Sequence, residues 1–131
     1  MKQFFLLALL IVCAAAALKL YTAKAPGGEK QTLTAAEAKA RLDSGDPVVV
    51  LDVRTQAEYG EGHIPGALCL PNETIGGEAP AALPDKDAEI LVYCRSGRRS
   101  AEAARKLTEL GYTRVFDFGG IQSWPYETTA E

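Results

Sequence analysis

Ile90-Leu91-Val92-Tyr93-Cys94-Arg95-Ser96-Gly97-Arg98-Arg99-Ser100 is the stretch from which the fold of this chain can be read. Residues 90–93 are a short apolar run, the pattern of a strand buried on both faces, and the residues from Arg98 onward carry a helical pattern. Cys94 therefore falls where a strand ends and a helix begins. Backbone N–H groups on such a turn can converge on one point, and the helix N-terminus adds partial positive charge, so the loop suits an anion. Helix N-termini and neighbouring arginines lower a cysteine pKa from ~8.5 into a range of roughly 3.5 to 7.5, which predicts a readily ionised thiol at Cys94.

Downstream, the spacing of Ala103, Ala104, Leu107 and Leu110 predicts one apolar helix face over residues 98–110, ended by Gly111. A last strand follows at 115–118, and Gly119-Gly120 leads into an expected helical tail containing Trp124. Upstream, Thr34-Ala35-Ala36-Glu37 is a capping box that opens a helix to about Asp43, stopped by Gly45 and Pro47. The run 48–51 (Val-Val-Val-Leu) reads as a central parallel strand. Thr55-Gln56-Ala57-Glu58 repeats the capping box for a short helix closed by Gly60, Gly62, Pro65 and Gly66. Residues 67–70 form a short strand, and 72–87 a loop with at most one or two helical turns around 79–83. Alternating strands and helices predict an α/β fold, a parallel sheet flanked by helices on both faces. Ligands of such sheets bind beyond the carboxyl ends of the strands, where Cys94 falls.

The 131 residues accommodate one domain. Residues 4–18 carry no charge and lie between Lys2 and Lys19, the pattern of an export signal. That run is roughly 15 residues, short of the roughly 20 that span a bilayer, although Leu20 and Tyr21 could extend it as an uncleaved anchor. Residues 1–23 are thus an export signal or N-terminal membrane anchor, 24–32 a Gly- and Pro-containing linker, and 33–127 the folded domain, placed in the cell envelope outside the cytoplasm. Cys13 sits inside the apolar run with Val12 before it, which argues for a buried cysteine and against a lipidation site. Beyond position 26 lie 11 basic and all 17 acidic residues, a net charge of −6 that excludes nucleic acid as a natural partner. Arg95, Arg98 and Arg99 reverse that sign locally and point to a small anionic substrate. Cys69 and Cys94 alone are too few for a disulfide framework.

Four pieces in this order resemble a single-domain rhodanese, a thiosulfate-type sulfurtransferase, and are similar to the small exported members of the bacterial phage-shock response. They are Leu51-Asp52-Val53-Arg54 with Glu58, Gly62-His63-Ile64-Pro65-Gly66-Ala67, the loop from Tyr93 to Ser100, and Gly119-Gly120 followed by Trp124. The resemblance implies a single rhodanese-like domain in which Cys94 is the catalytic nucleophile that carries sulfane sulfur as a persulfide. It further implies that Arg95, Ser96, Gly97, Arg98 and Arg99 cradle the substrate. The implied partners are a small anionic sulfur donor and a thiol or cyanide acceptor; the membrane enters only through an uncleaved N-terminal segment. The chemistry needs no cofactor and no metal, because the attacking thiolate and the leaving sulfite are both stable anions.

Cysteine-dependent phosphatases place five residues between cysteine and arginine, whereas Cys94 and Arg99 have four between them, which speaks against phosphatase or arsenate reductase activity. Ser100 is expected to cap the helix or face solvent. His63 reads as a turn residue satisfying backbone groups, Arg54 and Glu58 as an i to i+4 pair, and Trp124 as a core anchor. Cys69 reads as a small buried residue. Two alternatives stay open: a non-catalytic binding module, and a redox protein using Cys69 and Cys94.

Overall fold

The computed structural model describes residues 31–131. The expected export segment with Cys13, and the linker up to residue 30, lie outside the described residues. Among the described residues no helix is long and apolar enough to cross a membrane. The elements are β1 (Gln31–Thr32), α1 (Ala35–Asp43), β2 (Val49–Asp52), α2 (Gln56–Glu61), β3 (Leu68–Cys69), β4 (Glu89–Cys94), α3 (Arg98–Glu109) and β5 (Arg114–Gly120). The five strands pair in parallel in the order β1-β5-β4-β2-β3.

β4 occupies the centre of the sheet, and all six of its residues are buried. Its side chains alternate between two cores, as the pleat requires. Ile90, Val92 and Cys94 join Leu51, Val53, Ala103, Ala104 and Leu107 beneath α3, while Leu91 and Tyr93 join Ala38 of α1, Val50, Ile64, Phe118 and Trp124 on the other face. Helices thus cover both faces, which is why the strands read as unbroken apolar runs. Both capping boxes form: the Glu37 N–H donates to Thr34 Oγ1 at 3.1 Å and the Glu58 N–H to Thr55 Oγ1 at 3.2 Å.

The carboxyl end of the sheet is tied together by one buried carboxylate. Asp52, fully buried at the end of β2, accepts the Tyr93 O–H at 2.7 Å and the Arg54 guanidinium at 2.6 Å. Arg54 goes on to donate to the Gly62 carbonyl at 2.7 Å, and the Tyr93 oxygen accepts the Ile64 N–H at 3.1 Å. The segment after α2 is thereby fastened to the central strand one residue before Cys94.

Three local expectations change. Gln31 and Thr32, placed in the linker by their polarity, add an edge strand against Phe116 and Asp117; two polar residues at a sheet edge carry no apolar signal. The region after β3 contains a 3₁₀ turn at Asn72–Thr74, while 79–83 supplies only a turn closed by the Leu83 N–H on the Pro80 carbonyl. The expected helical tail is a single 3₁₀ turn, Ile121–Ser123. Pro125 forces the residue before it toward extended backbone, and Trp124 accordingly has φ −91° and ψ 106°. Its anchoring role persists through Phe118, with ring centroids 5.6 Å apart.

Replacing Tyr93 by Phe removes a donor from Asp52 and an acceptor from the Ile64 N–H inside the core. A loss of about 1–3 kcal/mol is expected, read as a lower denaturant midpoint with an unchanged m-value.

Candidate active site

Cys94 ends β4 opposite Gly120 of β5 and is 1% exposed. The chain then turns so that the Gly97 N–H donates to Cys94 Sγ at 3.0 Å, and α3 starts at Arg98. The turn needs glycine at position 97, where φ is +111°, a region costly for any side chain. Burial is the largest influence on the thiol and opposes its ionisation. It is outweighed by the Ser100 hydroxyl and the backbone N–H groups of Ser100, Gly97 and Ser96, so the thiol ionises below its ordinary value. Of the loop residues Arg95, Ser96, Gly97, Arg98 and Arg99 expected to form the cradle, Ser96 and Gly97 turn backbone N–H groups on the sulfur, joined by Ser100, which the expectation left out.

A second glycine holds the loop from behind. A Cβ on Gly120 would lie 2.0 Å from the Arg95 carbonyl oxygen and 2.7 Å from Ser96 Cα, so β5 abuts the loop only because no side chain intervenes. The Gln122 N–H closes the contact by donating to the same carbonyl at 3.2 Å.

The three arginines separate into two kinds. Arg95 and Arg98 are exposed at the mouth of the loop. Arg99 is half-buried and forms a two-pronged pair with Glu58 of α2, at 2.7 and 3.0 Å. This corrects the expected Arg54 to Glu58 pair. Arg54 lies ahead of the α2 N-cap Thr55, outside the helix that an i to i+4 pair requires, and its guanidinium turns back onto Asp52. Arg99 is the foremost cause holding the Glu58 carboxyl down at about 2, with burial opposing it.

Ser100 also departs from expectation. It neither caps α3 nor faces solvent: it is fully buried, with its hydroxyl 2.7 Å from Asp117 Oδ1, 3.0 Å from the Gly97 carbonyl and 3.6 Å from Cys94 Sγ. A signal existed, since Ser100 shares the i, i+3, i+4, i+7 stripe of Ala103, Ala104 and Leu107. Asp117 was not singled out by any local pattern.

His63 lies outside this cluster of contacts. It is buried, its Nδ1 stands 2.9 Å from the Tyr59 carbonyl, its ring stacks on Tyr59 at 3.7 Å, and its backbone pairs with Thr129. Cys69 is half-buried and, like Cys94, a free thiol; burial, then the Asp52 charge, push its pKa up. β3 and β4 are separated by β2 in the sheet. Two strand spacings come to about 9.5 Å, whereas a disulfide needs Cα atoms within roughly 7 Å, so a Cys69–Cys94 bridge requires the backbone to move.

Known proteins match this architecture. The rhodanese-like domain model matches residues 34–126. Thiosulfate sulfurtransferase PspE of Escherichia coli (strain K12) is 38% identical over 72 residues, covering 55% of this chain and 69% of that protein. A sulfurtransferase of Allochromatium vinosum is 41% identical over 87 residues, covering 64% of this chain and 78% of its own length. Among solved structures, a rhodanese with anions from E. coli superposes with a TM-score of 0.59 at 32% identity, covering 64% of this chain and 99% of that one.

Because the Glu58 pKa is lowered on folding, the Arg99 pair contributes stability fully above the ordinary carboxyl value of 4.5 and loses it as pH falls through about 2. The stability gap between wild type and Glu58→Gln, measured by denaturant titration, is expected to narrow progressively as pH drops below 4.5.

Proposed function

The chain belongs to the rhodanese-like domain family, and from that membership we propose that it moves sulfane sulfur from thiosulfate, or a related small anionic donor, to a thiol or cyanide acceptor through a persulfide on Cys94. At the coarser level it is a rhodanese-type transferase whose relatives include sulfurtransferases. The observation that carries the finer reading is the Cys94 sulfur itself, buried at the end of β4 and met by the Gly97 N–H at 3.0 Å.

The Cys94 thiolate attacks the outer sulfur of thiosulfate. A new S–S bond forms to Cys94, the bond to the sulfonate sulfur breaks, and sulfite departs with that electron pair. The three negative charges of the reactants reappear as one on the persulfide and two on sulfite. An acceptor anion then attacks the outer sulfur and Cys94 leaves as thiolate, so the cycle closes without an external oxidant or reductant. N–H groups that meet the resting sulfur are preorganised for the persulfide anion as well. Arg95 and Arg98, exposed at the mouth, draw in the donor; Arg99, held by Glu58, adds positive charge beside the sulfur. We place this activity in the cell envelope, with residues 1–23 as export signal or anchor, on the strength of the uncharged run 4–18.

Intact-mass analysis before and after thiosulfate is expected to show a gain of one sulfur atom, about 32 Da, that cyanide removes and that Cys94→Ser lacks. No adduct on the fully reduced protein would overturn persulfide transfer. Gly120→Ala, which drives a methyl into the Arg95 carbonyl, is expected to slow sulfur uptake on the order of 100-fold while native circular dichroism persists.

A further inference from the structure

Asp117 is a buried carboxylate, 6% exposed, that forms no ion pair among the described residues. Burying such a charge is costly unless hydrogen bonds satisfy it. Its Oδ1 accepts two: the Gly119 N–H at 2.9 Å and the Ser100 hydroxyl at 2.7 Å. The second places a negative charge one hydroxyl away from the nucleophile.

Ser100 has a single proton to give and four neighbours around its oxygen. Asp117 Oδ1 at 2.7 Å, the Gly97 carbonyl at 3.0 Å and the Gly119 carbonyl at 3.3 Å only accept; Cys94 Sγ lies at 3.6 Å. The carboxylate is both the shortest contact and the charged one, so it accepts the hydroxyl's hydrogen bond. The lone pairs of Ser100 then face the sulfur and can only receive a bond from a protonated thiol. An anionic sulfur gains a bond from Ser100 only if the hydroxyl swings off Asp117.

We propose that Ser100 and Asp117 are a positioning pair that sets the ionisation of Cys94: the hydroxyl is held by Asp117 in the thiol state and turns onto the sulfur in the anionic state. The catalytic use of this pair rests on the Cys94 reading above. Asp117 competes for the hydroxyl's hydrogen bond and opposes the thiolate, while Ser100 supports it. The other charge bearing on the sulfur is Arg99 of α3, itself held by Glu58 of α2, while Arg95 and Arg98 are exposed; Arg99 favours the anion, Glu58 weakens that support, and none of these is touched by altering the pair. A thiolate stabilised too far loses nucleophilicity, since the best attacking thiol has a pKa near ambient pH. Asp117 offsets the N–H cradle in that direction.

The test is the pH dependence of alkylation by uncharged iodoacetamide, followed at the Cys94 peptide by mass spectrometry in the full chain. Asp117→Asn keeps an oxygen acceptor for both Ser100 and Gly119 but removes the charge, and its midpoint is expected to fall by roughly one pH unit. Ser100→Ala removes the donor, and its midpoint is expected to rise by a similar amount. Opposite displacements support the pair; unchanged midpoints, or displacements of one sign, overturn it. Should Ser100→Ala lose its native circular dichroism, Asp117→Asn decides alone, and a midpoint that rises or stays put sinks the proposal. Sulfur uptake from thiosulfate by wild type, measured in parallel by intact mass, is the separate control on persulfide transfer: its absence refutes that chemistry, whereas the alkylation midpoints refute only the pair.

Discussion

The full burial of β4 is the constraint on which the active end depends. A strand with no solvent-facing residue must be paired on both edges and covered on both faces, and β2, β5, α1 and α3 meet those four demands. Its last residue is Cys94, so the sulfur is carried to the carboxyl edge of the sheet already shielded from water. Shielding alone would suppress ionisation. The turn into α3 reverses the balance by aiming the Ser100 hydroxyl and backbone donors at the sulfur within six residues.

Around that sulfur the charges are divided between fixed and free. Arg54 is committed to Asp52 and the Gly62 carbonyl, and Arg99 to Glu58. These pairs join α2 and its neighbouring segment to the central strand and the loop, and they leave Arg95 and Arg98 as the exposed cations at the mouth. Buried and half-buried ion pairs of this sort add little net stability but penalise any arrangement that separates the partners. They therefore fix where the loop sits more than how stable the domain is. The contact of Gly120 with the Arg95 carbonyl does the same from the side of β5, through the lack of a side chain.

Much of the fold was legible locally. The capping boxes at Thr34 and Thr55 opened helices where expected, because a cap is a hydrogen-bond pattern closed within four residues. The apolar runs read at 48–51 and 90–93 fall in β2 and β4, and the reason they were conspicuous is the reason they lie inside: residues covered on both faces are mostly apolar. The failures were also physical. Gln31–Thr32 pairs at an edge that asks nothing of its side chains, and the tail at Trp124 was stopped by Pro125 after one 3₁₀ turn.

The sequence by itself determined that Cys94 sits on a strand-to-helix turn among arginines, since strand, turn and helix signals are all contained within eleven neighbouring residues. It did not determine which charge meets which. Glu58 lies 41 residues from Arg99, and Ser100 lies 17 from Asp117; such partners are chosen only when the sheet order brings α2, α3 and β5 to one end. Local pattern reports what a residue can do with its neighbours in the chain. The tertiary structure decided that Arg54 serves Asp52, that Arg99 is held by Glu58, and that a buried carboxylate stands one hydroxyl from the sulfur, because long-range contacts depend on how the layers pack.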